Sequence, residues 1–435
     1  MFSQVQSIFK LSLLLIYLFV AYSCGPGVSN AINSPSKNNQ IPSLLLIPGQ
    51  LTAPQSIRSI QLYRKGFVGN PPIIELGTNN KLVLEFDELA AVSGQFRIQF
   101  SHHNKNWDES GLPDPWIFEG INELFLRGGE RNQEFKPDYF HYKLEFPNRD
   151  LKFNVSGHYL IHVFDYQSGV ELFSIPFFVT ENKGELVTEV ETIFNQGANG
   201  GAIDQLFGEF LYPEFVEFPQ FDLSYSFVQN RFWKNVKNAD QTSFNTKGKT
   251  EFHLSRNNSF PANFDFSLLD LSELSLQNPQ IFNIEPAIIP PRVILKDDVL
   301  NFLSDPRYSS KSELGFPDNK LSARYSEVFF RFNLGGRISN LGPVFLIGDF
   351  NQWSISDRYK MELNPELGLL ETNALIKEGR YSYKYVTVEN NRINDLRLSD
   401  SISKRDQDYI WFIYYRDPQY QYDRLLKTKL VNSFY

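Results

Sequence analysis

Six histidines, one cysteine and 50 acidic residues are the raw material for acid–base, nucleophilic or metal chemistry in this 435-residue sequence. His102 and His103 are adjacent, so a strand turns them to opposite faces, poor geometry for a shared metal. His158 and His162 stand four apart, a spacing that shares a metal on a helix. HYLIHVF alternates as a strand does, however, which spreads the pair along one sheet face by more than ~10 Å. Carboxylates such as Asp297 with Asp298, Asp406 with Asp408 and Glu109 with Asp114 are scattered. A glycosidase needs two carboxylates facing one bond, and nothing marks such a pair. No GxSxG, glycine-rich phosphate loop or HExxH is present. Cys24 is the only cysteine, which excludes disulfides and Cys-based metal sites within the chain. The expectation is a chain that is not an enzyme, with no catalytic residues, cofactor or metal.

The elements that would position these residues are strands. Aromatic residues make up 15% of the chain, with 40 Phe and 21 Tyr, a composition that favours pleated, half-buried strands. A formal net charge of −8 leaves no basic surplus to neutralise phosphates, so nucleic acid is not an expected partner. Residues 1–23 read as a signal peptide: Lys10, then the apolar run Leu11–Ala21, too short to span a bilayer comfortably. Ser23–Cys24–Gly25 follows, as in a bacterial lipoprotein signal, and makes Cys24 a candidate lipidation site that would hold the chain at a membrane. A plain signal peptide with a chance cysteine is the other reading. GPGVSNAINS lacks the acidic run that marks surface display, which favours the periplasmic side. Residues 24–55 read as a Pro-, Ser- and Asn-rich tether, in which SLLLIP has the makings of a short docked strand. From there the period is two. Closely spaced strands without helical patterns predict an all-β chain of three Ig-like β-sandwich domains in series, at 56–182, 183–321 (with a long loop over 297–321) and 322–435.

The sharpest local signal is GDFNQW, with YSYKY downstream: Gly348, Phe350, Asn351, Trp353, Tyr381, Tyr383 and Tyr385. It resembles the Ig-like module of glycogen-branching enzymes and glycogen-binding carbohydrate modules, which implies a mainly structural role, a strand and tight turn with Trp353 over the core. A sugar platform is the alternative. A wider resemblance rests on SIRSIQLYRKG, FRIQFSHHNKNWDESGL, YFHYKLEFPNRDLKFNVSGHYLIHVFD and IPFFVTE, in that order, with GDFNQW and YIWFIYYRDPQYQYDRLL near the C-terminus. Together they resemble the plug protein family of the bacterial type IX secretion system. That resemblance implies a non-catalytic, periplasmic-side partner that seals the mouth of an outer-membrane β-barrel translocon; the lipid anchor on Cys24 rests on the Ser–Cys–Gly segment instead and departs from relatives with plain signal peptides. A carbohydrate-binding envelope lipoprotein is the alternative function. The loop NWDESGLPDPWIFEG offers Trp107 and Trp116 as candidate interface anchors at a sandwich end, with burial of both as the competing reading.

Overall fold

A computed structural model of the chain describes residues 41–133, 136–197, 201–299, 308–309, 321–335, 341–394, 397–398 and 404–433. The signal segment and Cys24 lie outside them. Strands take 51% of the described residues and helix 5%, so the fold is all-β.

The first sandwich packs the sheet Ile57–Arg64, Leu82–Glu88, Phe140–Phe146 and Glu130–Arg131 on a second sheet. That second sheet holds Ile73–Glu75, Glu171–Thr180, Gly157–Asp165, Gln95–His103 and Leu124–Arg127. Pairing is antiparallel except where Ile73–Glu75 runs parallel to Phe178–Thr180. The period of two fixes the inner face: Leu82, Leu84 and Phe86 meet Phe96, Ile98, Phe173 and Phe177 in one core.

The third segment of sequence does not stay together in space. Asp408–Arg416 and Asp423–Asn432, expected to close the 322–435 module, instead pair beside Leu223–Gln229 of the expected middle module. With Val236–Asn238 they form a sheet facing Glu185–Ile193, Ile203–Leu211, Lys249–His253 and Gln241–Ser243. Their shared core joins Leu206, Phe210, Tyr225 and Phe252 to Tyr409, Trp411 and Ile413. The remaining sandwich sits between these two stretches of chain. It pairs Phe266–Asp270, Arg380–Glu389 and Val344–Gly348 in one sheet. The opposite sheet holds Ile281–Glu285, Arg292–Leu295, Tyr325–Asn333, Leu369–Lys377 and Glu362–Asn364. The boundary expected at 321/322 therefore falls inside this sandwich. Register explains the difference: DYIWFIYYR is apolar on both faces, as a central strand covered on both sides must be. Tyr409, Trp411 and Ile413 face one core, and Ile410, Phe412 and Tyr414 another.

Those second faces weld the sandwiches to one another. Trp107, Leu160 and Phe178 of the first pack on Val228, Trp233, Ile410 and Phe412 of the second. Phe232 and Phe264 pack on Phe345, Ile347 and Trp353 of the third. The expected tether is part of this weld from residue 41 onward. Ser43 bridges Ser354, Ile47 enters the first seam, and the Leu51 N–H donates to Ser174 Oγ at 2.8 Å. Three consecutive leucines and an isoleucine, Leu44–Ile47, make this a strap rather than a solvated linker.

Candidate functional site

Between the first and third sandwiches lies a buried polar cluster that the alternation of KLVLEFDEL hides. Leu82, Leu84 and Phe86 point inward, so Glu85 and Asp87 point out, yet both are buried, Asp87 beneath Lys377 and Tyr325 of the third sandwich. Lys377 Nζ donates to Asp87 Oδ2 at 2.7 Å and the Tyr325 hydroxyl to the same oxygen at 2.8 Å. His141 Nδ1 sits 2.7 Å from Asp87 Oδ1. Burial pulls the Lys377 ammonium below its ordinary value, and Asp87 opposes that pull. A charge pair this dry destabilises strongly when only one partner is removed.

The seam between the first and second sandwiches holds the histidines. His158 Nε2 is 2.8 Å from the Tyr414 hydroxyl, and His102 Nε2 is 3.0 Å from the Ser156 carbonyl. Burial lowers His102 to about 4 and drives His158 well below the ordinary imidazole value. Arg424 grips Glu181 with two nitrogens at 2.7 and 2.8 Å. Burial pushes the Glu181 carboxyl up, but Arg424 and Lys183 outweigh it and hold it below the usual range.

Sequence reasoning missed Ser101. It lies 2.8 Å from His162 Nε2, whose Nδ1 is 2.7 Å from Glu171 Oε1, the contact order of a nucleophile, a base and an orienting carboxylate. On the other side, however, Ser101 Oγ is 2.7 Å from His103 Nε2, and His103 Nδ1 is 2.9 Å from the Trp107 carbonyl. With both Nδ1–H groups committed outward, one hydroxyl proton cannot serve two ring lone pairs. The set is complete when one imidazole carries a second proton. The hydroxyl is thus clamped in a relay rather than presented to a substrate. The signal was there in part: Ser101 and His103 share a face by spacing, and the register His158↔His103 brings the second strand's histidines beside them. That register is a tertiary fact. As expected from spacing, His102 and His103 face opposite sides. Among the described residues no three His, Cys, Asp or Glu side chains gather to hold a metal.

The two candidate anchors separate. Trp107 is 9% exposed, its ring 4.4 Å from His158 and 5.8 Å from Phe178, so it is spent inside the molecule and does not serve as a surface anchor. Trp116 is 52% exposed. It stands on the single turn Asp114–Ile117, started by Pro113, and its ring meets Tyr420 edge-on at 5.2 Å. Tyr420 belongs to the turn between the last two strands, so the first and second sandwiches contribute jointly to this exposed aromatic pair.

GDFNQW forms a tight knot. The Gly348 N–H donates to Asn351 Oδ1 at 2.9 Å, Asn351 Nδ2 donates to the Leu346 carbonyl, and Trp353 Nε1 donates to Asp349 Oδ1 at 3.0 Å. A Cβ at residue 348 would meet the Ser382 carbonyl at 2.7 Å, so glycine is required for space. Trp353 is 2% exposed, with Phe232 and Phe266 at 5.3 and 5.1 Å. Phe350 packs near Phe330, while Tyr381 donates to the Lys377 carbonyl, and Tyr383 and Tyr385 both donate to Asp298 Oδ2 at 2.7 Å. No helix among the described residues is long and apolar enough to cross a membrane.

Residues 57–181 match the family model of the type 9 secretion system plug protein 1st domain, a span that coincides with the first sandwich. No curated protein matches. Among solved structures, a hypothetical protein from Parabacteroides merdae ATCC 43184 is 22% identical, with a TM-score of 0.77 over 88% of this chain and 98% of that one. At that identity the likeness shows a shared fold. An alkylpurine DNA glycosylase from Pseudomonas fluorescens, 13% identical over 28% of this chain and 30% of that one, has a TM-score of only 0.17 and carries no argument.

Proposed function

We propose, from the match of residues 57–181 to the family model of the type 9 secretion system plug protein first domain, that this chain binds and closes the periplasmic mouth of the system's outer-membrane translocon barrel. The family match is the observation that carries the reading. Closing a wide pore is steric work and asks for a stiff body, and the three welded sandwiches support that. The contact must also release when cargo arrives. Reversible interfaces concentrate their energy in a few aromatic anchors inside a polar rim, and the exposed Trp116–Tyr420 pair fits that role. Cys24, acylated after removal of residues 1–23, would hold the chain on the periplasmic face of the outer membrane. The carbohydrate-binding alternative finds no support at GDFNQW, where Trp353 is buried.

Affinity purification of the tagged chain from detergent-solubilised outer membrane tests the reading. A very large barrel should co-purify, and Trp116→Ala should weaken its recovery by about tenfold, a typical anchor effect. Deleting the gene should leave cargo secretion working but make the outer membrane permeable to vancomycin. Unchanged permeability with an idle translocon present would overturn the sealing role.

A further inference from the structure

The GDFNQW turn also walls a cleft of about 170 Å³ that the strap and the first strand of the first sandwich complete. Arg58 lines it. The ladder between Ile57–Arg64 and Leu82–Glu88 skips between Arg58 and Gln61, and Ser59 adopts a positive φ of 52°. Such bulges re-aim a side chain out of the regular pleat. Among the described residues the Arg58 guanidinium has no carboxylate partner. Its Nη1 reaches only the neutral Tyr359 hydroxyl at 3.5 Å, and its buried Nε donates to no protein acceptor. The other charged groups at the cleft are committed. Asp349 accepts from Trp353 Nε1 and the Ser382 N–H, and Arg358 lies 3.7 Å from Glu327 and donates to Asn373.

We propose that this cleft is a binding site for a small carboxylate, with Arg58 taking the charge. A guanidinium fork matches a planar carboxylate with two parallel hydrogen bonds, and the terminal Nη groups of Arg58, which face no carboxylate among the described residues, supply that fork. The volume falls below that of pockets for whole cofactors, so the ligand is a short acid or the carboxylate end of a chain. A sugar is the poorer fit. Sugar sites present an exposed ring face, whereas of the two rings in this wall Tyr359 is buried and the partly buried Phe350 packs against Phe330 and Tyr359. The site stands apart from the sealing role and survives its failure.

Ligand-detected NMR on the full chain tests the proposal, with an N-acetyl dipeptide acid, the same dipeptide amide, acetate and a neutral malto-oligosaccharide as probes. The acid should bind at millimolar concentration or better and the amide at least about tenfold more weakly. Acetate binding as well as the acid would point to a free small acid as the source, and a preference for the dipeptide acid to a chain terminus. Either supports the carboxylate site. Arg58→Gln should cost at least about tenfold, and Arg58→Lys, which keeps the charge without the fork, should fall between. Gln55 is exposed at the cleft, so Gln55→Trp should block binding with the fold and Arg58 intact, which decides the matter if the Arg58 variants do not fold. Equal binding of acid and amide, binding undiminished in both Arg58→Gln and Gln55→Trp, no bound acid at all, or preference for the oligosaccharide would overturn it.

Discussion

His102 and His158 carry the most testable consequence at the scale of single residues. Both are buried and neutral in the fold, and burial is the leading cause of their lowered pKa values. The unfolded chain takes up protons first, near the ordinary imidazole value of 6.5. Their contribution is therefore complete above about 6.5 and is lost as pH falls from there toward about 4 for His102. At about pH 5 that one side chain should cost on the order of 2 kcal/mol. Melting temperature should fall between about pH 7 and 5, before carboxylates such as Glu181 begin to protonate. His102→Gln retains a donor toward the Ser156 carbonyl and should flatten this part of the profile. A profile equally steep in the variant would show that the loss arises elsewhere.

Among elements, the knot after Val344–Gly348 and the strap Leu44–Ile47 hold the third sandwich to the rest. The Leu44 N–H donates to the Trp353 carbonyl, the Ile355 N–H to Pro42, and Trp353 fills the space between Phe232 and Phe266. Trp353→Ala should lower the stability of the chain by about 3–5 kcal/mol through lost burial and a cavity. Urea unfolding measures it. Unchanged stability together with loss of glucan binding would revive the sugar-platform reading. The strand pattern behind this was legible: EVFFRFNL and GRYSYKY alternate, PVFLIG is a short apolar run, and each holds a strand. LLDLSELSL was not. Its first residues complete the strand Phe266–Asp270 against Arg380–Tyr383, a pairing across more than a hundred residues that no local pattern announces.

For the molecule as a whole, the distinctive feature is that the chain leaves the second sandwich, builds the third and returns to finish the second. Deleting residues 404–433 should thus unfold the part built by 185–254, more than a hundred residues upstream, because Leu223–Gln229 loses its neighbour and the core loses Tyr409, Trp411 and Ile413. Hydrogen exchange reads this directly. Amide protection at Leu206 and Phe227 should collapse in the truncated chain, and retained protection would mean that the domains fold in simple series. The sequence by itself determined the all-β class, the alternating strands, the lone cysteine and the family likeness of 57–181, because period-two alternation and composition are local properties that each strand carries alone. Which strands share a sheet was decided only by the tertiary structure. So were the burial of Trp107, the covering of Asp87 by Lys377 and the meeting of Ser101 with two histidines. A strand with two apolar faces states that something covers both, and an outward aspartate leaves open what covers it. Only the packing of the sandwiches supplies the partner, since burial is a property of what lies opposite rather than of the residue itself.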